Sequence, residues 1–307
     1  MVSSVKVFYC EGDNYMKLIC LDMDGTTLNS ENMISNENIE AIKKAQQEGH
    51  IVMMLSGRAP QSINETLEMY NLQCPIGGSN GTAVFADGKL LEQTSLSDNQ
   101  CKEVAMQLEK ESIPYKIYTN KGIYIANDWV KRLESVLSSG NIPTDYYENE
   151  NFERMTKLPE ELDGHLYYNS VETLIEDNEV TIQKFFILAL DPIQKERLLK
   201  GLGNVAESYI TSSSPFNVEV MNINGNKGNG LKVMAQHYNI PLEDTVAIGD
   251  QYNDIPMFKV AGLSIAMGNA EEEIKELSDV TTLTNDENGV AYAIENYVLK
   301  EKTPVNS

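Results

Sequence analysis

Residues 21–30 read LDMDGTTLNS, and the run KLICL just before Asp22 is apolar. Asp22 and Asp24 stand two apart. In an extended strand, residues i and i+2 point to the same face, so the two carboxylates share a side. Like charges held together repel, and burial strengthens the repulsion. A solvated turn would explain the pair, since Asp and Gly are turn formers. A cation held between the acids would explain it as well. The elements that carry these residues, and what else those elements bring, decide between the two.

The chain has 307 residues, room for one large domain or two ordinary ones. Hydrophobic residues make up 41% and charged residues 23%, as in globular proteins that bury a sizeable core. Lys plus Arg number 24 against 46 Asp plus Glu, for a formal net charge of −22. Such a field repels nucleic acid and anionic membrane. It also repels phosphorylated metabolites at long range, so a site for them must build its own local positive charge.

Cys10, Cys20, Cys74 and Cys101 are far apart and form no C-x-x-C, which argues against a disulfide framework or a zinc site. Free thiols suit a cytoplasmic chain. His50, His165 and His237 have no ligand spacing to one another and read as structural or exposed. No apolar run approaches the roughly 18 residues of a membrane helix. The leader MVSSVKVFYCEGDNY lacks a basic region and a continuous apolar stretch, so it does not read as a signal peptide. It reads as a dispensable segment or a short extra strand.

KLICLDM (17–23) and HIVMMLSGR (50–58) read as buried strands. Between them SNENIEAIKKAQQEG (35–49) carries Ile39, Ile42 and Ala45 at helical spacing and stops at Gly49. A second helix opens at Pro60. PIGGSNGTAVF (75–85) is strand-like with a glycine-rich break. Strands apolar throughout and separated by helices indicate a parallel sheet covered on both faces. The rhythm then changes. Hairpin signals at Asp87-Gly88 and Asn120-Lys121-Gly122 mix with helices, as in an α+β unit with an antiparallel sheet. Residues 144–163 are polar and acidic and read as a solvated surface excursion. From about 216 strands and helices alternate again. The expectation is an α/β domain (1–85 and 209–307) interrupted by an α+β domain (86–208).

In open α/β sheets ligands bind beyond the carboxyl ends of the strands. There the sequence places Asp22 and Asp24; Ser56, Gly57 and Arg58; Ser79 and Asn80; and Asp250, Asn253 and Asp254. Lys227 lies in the glycine-rich turn NGNKGNG that opens a helix. That turn does not fit the G-x-x-x-x-G-K-[ST] pattern of a P-loop. Asp22, Asp24, Asp250 and Asp254 offer hard oxygen ligands without His or Cys, which suits Mg²⁺. Ser56 with neighbouring backbone N–H groups, and Lys227, suit phosphate oxygens. An aspartate approaching a phosphate dianion at ~4 Å and an effective dielectric of ~20 meets on the order of 8 kcal/mol of repulsion. Mg²⁺ and Lys227 supply positive charge where those anions meet.

With these residues in place, the sequence resembles the haloacid dehalogenase superfamily of phosphatases, and within it the Cof-type (subclass IIB) sugar-phosphate phosphatases with a type-2 cap. The four family motifs have counterparts in order: DMDGT at 22–26, the hydroxyl of LSGR at Ser56, Lys227 in NKG, and GDQYNDIPM at 249–257. SNGT at 79–82 is also typical of that branch. Ser56 stands where threonine is common, and serine keeps the hydroxyl. The resemblance covers residues 16–307 and implies a Rossmann-like parallel-sheet core with an inserted α+β cap.

It further implies that Asp22 is the nucleophile that becomes an aspartyl-phosphate and that Asp24 is general acid, then base. Ser56, Gly57 and Lys227 would bind phosphate. Asp250 would complete the Mg²⁺ site with Asp22 and the carbonyl of Asp24. Asp254 and Asn253 would support metal waters and Lys227. Two roles fit Arg58 and Asn80: contact with substrate, or support of their loop. The tyrosines of the inserted unit read as sheet packing. The implied activity is Mg²⁺-dependent hydrolysis of small phosphorylated metabolites, sugar phosphates above all. Phosphoryl transfer to a sugar by the same Asp22, as in a phosphomutase, is an alternative. A module that binds a phosphosugar without turnover is another. The sequence does not fix the substrate or the oligomeric state.

Overall fold

The computed structural model describes residues 16–148, 150–156 and 165–299. The leader 1–15 and part of the stretch 144–163 lie outside the described residues. The strands are β1 (Leu18–Leu21), β2 (Ile51–Leu55), β3 (Ile76–Gly78), β4 (Ala83–Ala86) and β5 (Lys89–Gln93), then β6 (Tyr115–Thr119), β7 (Gly122–Ala126), β8 (Leu166–Tyr168), β9 (Ile182–Leu188), β10 (Ser208–Thr211) and β11 (Asn217–Asn222), and finally β12 (Thr245–Gly249), β13 (Leu263–Ala266) and β14 (Val280–Thr281).

β1 shows why a parallel sheet forms. All of its residues are buried. Ile19 and Leu21 pack into one core, against Ile42 and Ala45 of the helix Asn36–Gln47 and against Val290 and Ile294. Leu18 and Cys20 pack into the other, against Leu231, Met234 and Ala235 of the helix Lys227–His237. Side chains alternate across a strand, so both faces are covered and both must be apolar. The sheet runs β14-β13-β12-β1-β2-β3-β4-β5. The strands from β14 to β3 are parallel, and β4 and β5 are antiparallel additions. The β4–β5 turn is Asp87-Gly88, with φ of 52° and 70°, as that dipeptide predicts.

The second sheet runs β10-β11-β9-β6-β7-β8 and is antiparallel except for β7 with β8. Phe185 and Ile187 of β9 face the helices, packing with Val104, Leu108 and Leu198. Lys184 and Phe186 alternate to the other face.

Sheet pairing corrects the expected exchange points near 86 and 208. The first sheet keeps the chain to Gln93, where β5 closes the hairpin on β4. The second keeps it to Asn222. β11, expected in the first unit because strands and helices alternate again from about 216, pairs with β9 instead. Residues 144–163 are not all solvated either, because Phe152 of the helix Glu150–Thr156 is buried against Phe216. Among the described residues no helix is long and apolar enough to cross a membrane.

Candidate active site

β12, β1, β2 and β3 are adjacent and parallel, so their carboxyl ends meet. Asp22 extends the β1 pairing, its N–H donating to the Ile248 carbonyl. One step beyond β12 stands Asp250, and one beyond β2 stands Ser56. Gly25 turns the chain after Asp24 with φ of 78°, a left-handed conformation that favours glycine. A side chain there would lie 2.9 Å from Asp250 Cγ. Thr26 Oγ1 donates to Asp250 Oδ1 at 2.7 Å, binding the first motif to the last.

Below Asp22 lies Lys227, the first residue of its helix, which Asn226 caps by accepting the Asn229 N–H. The Lys227 ammonium donates to Asp22 Oδ1 at 2.6 Å and to Asp254 Oδ1 at 2.5 Å. Asp254 Oδ2 accepts the backbone N–H groups of Asp250 and Gln251. Asp254 thus holds the lysine and the Asp250 loop together.

Among the described residues, Asp22, Asp250 and Asp254 offer carboxylate oxygens within 4.8 Å of one another, and all three residues are buried. Burial, then the Asp254 and Asp24 charges, outweigh Lys227 and push Asp22 up to about 7. Burial and the Asp22 and Asp254 carboxylates push Asp250 well above the ordinary value. Burial also works against the Lys227 ammonium, yet Asp22 and Asp254 prevail and hold it above the usual lysine range. One ammonium cannot neutralise three carboxylates. Asn253 Oδ1 adds a buried acceptor without a hydrogen-bond partner. An all-oxygen, over-charged cluster fits a hard divalent cation.

The Asp24 carboxylate is turned elsewhere. Arg58 Nε and Nη2 donate to its two oxygens at 2.8 and 2.7 Å, a bidentate pair at the cleft wall. The cleft has a volume of 680 Å³ and is lined by Asp22, Asp24, Ser56, Gly57, Arg58, Asp250 and Asn253 from the first sheet. Lys227, Asp254 and Asn80 have no exposed surface and lie beneath it. Asn80 bonds to Glu219 and Asn253, which supports its loop.

A family model described as haloacid dehalogenase-like hydrolase matches residues 19–294. The chain belongs to that family. Phosphatase YwpJ of Bacillus subtilis is 32% identical over 281 residues, covering 90% of this chain and 98% of that protein. The B. subtilis 5-amino-6-(5-phospho-D-ribitylamino)uracil phosphatase YwtE is 34% identical over 284 residues, covering 91% and 97%. A solved haloacid dehalogenase-like hydrolase from B. subtilis superposes with a TM-score of 0.81 at 30% identity, covering 92% of this chain and 100% of that one. The hydrolase is therefore a phosphoric monoester hydrolase with a Rossmann-like core and a cap.

Sequence reasoning missed Lys184 and Glu219 on the cap side of the hydrolase's cleft. Lys184 and Glu219 form an ion pair of 2.9 Å, with side chains 1% and 2% exposed. Tyr118, Ile123, Phe186 and His165 line the cleft with them. Of the tyrosines read as packing, Tyr115 and Tyr168 do pack in the cap core, whereas Tyr118 faces the cleft. Alternation along YKIYT carries that signal, since Tyr115 and Ile117 are buried and so Lys116 and Tyr118 must point away.

Proposed function

We propose that the hydrolase is a Mg²⁺-dependent phosphatase of small phosphorylated metabolites, sugar phosphates foremost, working through an aspartyl-phosphate on Asp22. The observation that carries this reading is Asp22 itself, on the cleft floor between Lys227 and Asp250 with Asp24 at the wall. Asp22, Asp250 and the carbonyl of Asp24 would hold the ion, with Asp254 and Asn253 behind them. Bound there, Mg²⁺ would supply positive charge against the phosphate and its attacking carboxylate. Ser56 and Gly57 cradle the phosphate at the carboxyl end of β2. Lys227 favours the ionised form of Asp22 and aims its carboxylate. Asp24 gives a proton to the leaving oxygen and then takes one from the attacking water. For that, Arg58 must release Asp24 and is free to meet the substrate.

The cap, residues 94–222 by sheet pairing, closes the cleft and contributes the surface that meets the leaving group. The relative YwtE is named for a ribityl phosphate, and Tyr118 and Phe186 would give such a molecule an aromatic wall. The acidic surface argues against nucleic acid and anionic membrane as partners. The free Cys20, Cys74 and Cys101 suit the cytoplasm. A panel of phosphate esters with Mg²⁺, read by phosphate release, tests the reading. Turnover of sugar phosphates that ceases in Asp22→Asn is the expected result. Activity that survives Asp22→Asn would overturn it.

A further inference from the structure

The Lys184–Glu219 pair does more than fill the cap. Both side chains project from the second sheet onto the first. Lys184 Nζ donates to the carbonyl of Gly57 at 2.7 Å, and Glu219 Oε2 accepts from Asn80 Nδ2 at 2.6 Å. Asn80 Oδ1 in turn accepts from Asn253 Nδ2 at 3.1 Å. On the neighbouring carbonyls, the Asn80 N–H donates to Ser56 and the Ser79 N–H to Arg58, at 2.8 and 2.7 Å. Three successive carbonyls, of Ser56, Gly57 and Arg58, are thus tied back, and the middle tie comes from the cap.

The contact is close-fitting and strained. A side chain on Gly57 would lie 3.1 Å from Asn80 Oδ1 and 3.7 Å from both Lys184 Nζ and Glu219 Oε1. Ser79 and Asn80 have φ of 49° and 63°, a left-handed backbone that non-glycine residues adopt only when something holds them. A buried ion pair is a weak source of stability, since desolvation offsets the attraction. Stability alone therefore does not account for a lysine and a glutamate with almost no exposed surface at this junction.

We propose that Lys184 and Glu219 are positioning residues through which the docked cap sets the Ser56–Arg58 loop for phosphate. The inference rests on Ser56 and Gly57 being the phosphate cradle. It requires that the pair govern the phosphoryl end of every substrate alike. A pair that touched the leaving group would instead discriminate between esters.

The informative variant is Lys184→Met with Glu219→Leu. It replaces both charges with apolar groups of similar size, a change that buried pairs often tolerate, and removes the ties to Gly57 and Asn80. With the melting temperature retained, kcat/KM should fall roughly 10²-fold, the scale of a small misplacement at a reacting centre. The fall should be equal for p-nitrophenyl phosphate and a hexose phosphate. The inhibition constant of inorganic phosphate should rise roughly tenfold, as for one hydrogen bond to a charged group. Lys184→Arg, which can still donate to Gly57, should stay within about tenfold of wild type. Asn80→Gly tests the same tie from the other side and suits a left-handed backbone; its loss should match, and it stands in if the double variant does not fold. Wild-type phosphate inhibition in the folded double variant or in Asn80→Gly would overturn the proposal. So would a loss confined to one ester. Ser56→Ala separates the two readings: if phosphate inhibition is unchanged there, the cradle assignment fails, and if only Ser56→Ala weakens it, the cap assignment alone fails.

Discussion

Lys227 Nζ lies 2.6 Å from Asp22 Oδ1, and the lysine side chain has no exposed surface. A charge so placed cannot be spared. Lys227→Met leaves Asp22 and Asp254 facing each other without the ammonium they share. Removing one partner of a buried pair costs about 3–5 kcal/mol, so the metal-free variant should unfold at a clearly lower denaturant midpoint. Its kcat should fall roughly 10²–10³-fold, the scale of one lost electrostatic contact in a reaction site. Unaltered stability without metal would show that other groups neutralise Asp22.

The carboxylate cluster predicts how pH and metal act together. The folded-state pKa of Asp22 is raised from 3.8 to about 7, and that of Asp250 is raised as well. Between those values the folded state holds a proton that the unfolded state has lost. Stability of the metal-free protein should therefore fall as pH rises from about 4 to about 7 on Asp22's account, with Asp250 acting in the same direction. Metal ligation needs the deprotonated acids. The rise in melting temperature on adding Mg²⁺ should grow from pH 5 to pH 8, and Asp250→Asn should flatten that growth. A pH-independent Mg²⁺ effect would count against these ligands. Excess EDTA should abolish activity, and Ca²⁺ should restore it poorly because it prefers more ligands at longer distances.

Gly25 offers a backbone test of the same cluster. With φ of 78° and Asp250 Cγ 2.9 Å from an added side-chain carbon, Gly25→Ala must strain the turn and push Asp250 aside. The Mg²⁺ concentration for half-activation should rise about 10–100-fold, as for loss of a group that orients a ligand. An unchanged Mg²⁺ titration would mean that Asp250 does not hold the ion.

On the cap, Tyr118 and Phe186 sit with ring centroids 6.5 Å apart at the cleft. Tyr118→Ala should change relative kcat/KM between leaving groups by about tenfold or more, the range of one apolar pocket contact. Label from substrate should still appear on Asp22. Equal rate changes across a panel of esters would remove Tyr118 from the specificity surface.

The site was legible wherever chemistry and local order coincide. Asp22, Ser56 and Asp250 each follow an apolar run by one residue, and a parallel sheet brings such positions together whatever its exact register. Lys184 and Glu219 gave no such sign. Each is a lone charge within a strand, and the two are 35 positions apart in the chain. What buries them is the other sheet, a contact no local pattern encodes. The same blindness misplaced β11: the strand–helix alternation that returns from about 216 suggested the first sheet, while hydrogen bonding to β9 assigned it to the second. Phe152 was lost among acids, because one buried aromatic barely alters the composition of a polar stretch.

Asp24 carries the last prediction. Its carboxylate is held by Arg58 through two hydrogen bonds of 2.8 and 2.7 Å, yet catalysis asks it to give a proton and then to accept one. Asp24→Asn removes both functions and frees Arg58, while leaving the Asp24 carbonyl available for metal. General acid–base help is typically worth about 10²–10⁴-fold. p-Nitrophenolate leaves easily and needs little acid, whereas breakdown of the aspartyl-phosphate still needs the base. Asp24→Asn should therefore release a burst of p-nitrophenol close to one equivalent and retain phosphate label on Asp22. Asp22→Asn should show neither burst nor label. With alkyl phosphates, whose leaving oxygen needs the proton, the Asp24→Asn burst should vanish. Label on any other residue, or steady turnover of Asp24→Asn at the wild-type rate, would show that the two aspartates have been given each other's work.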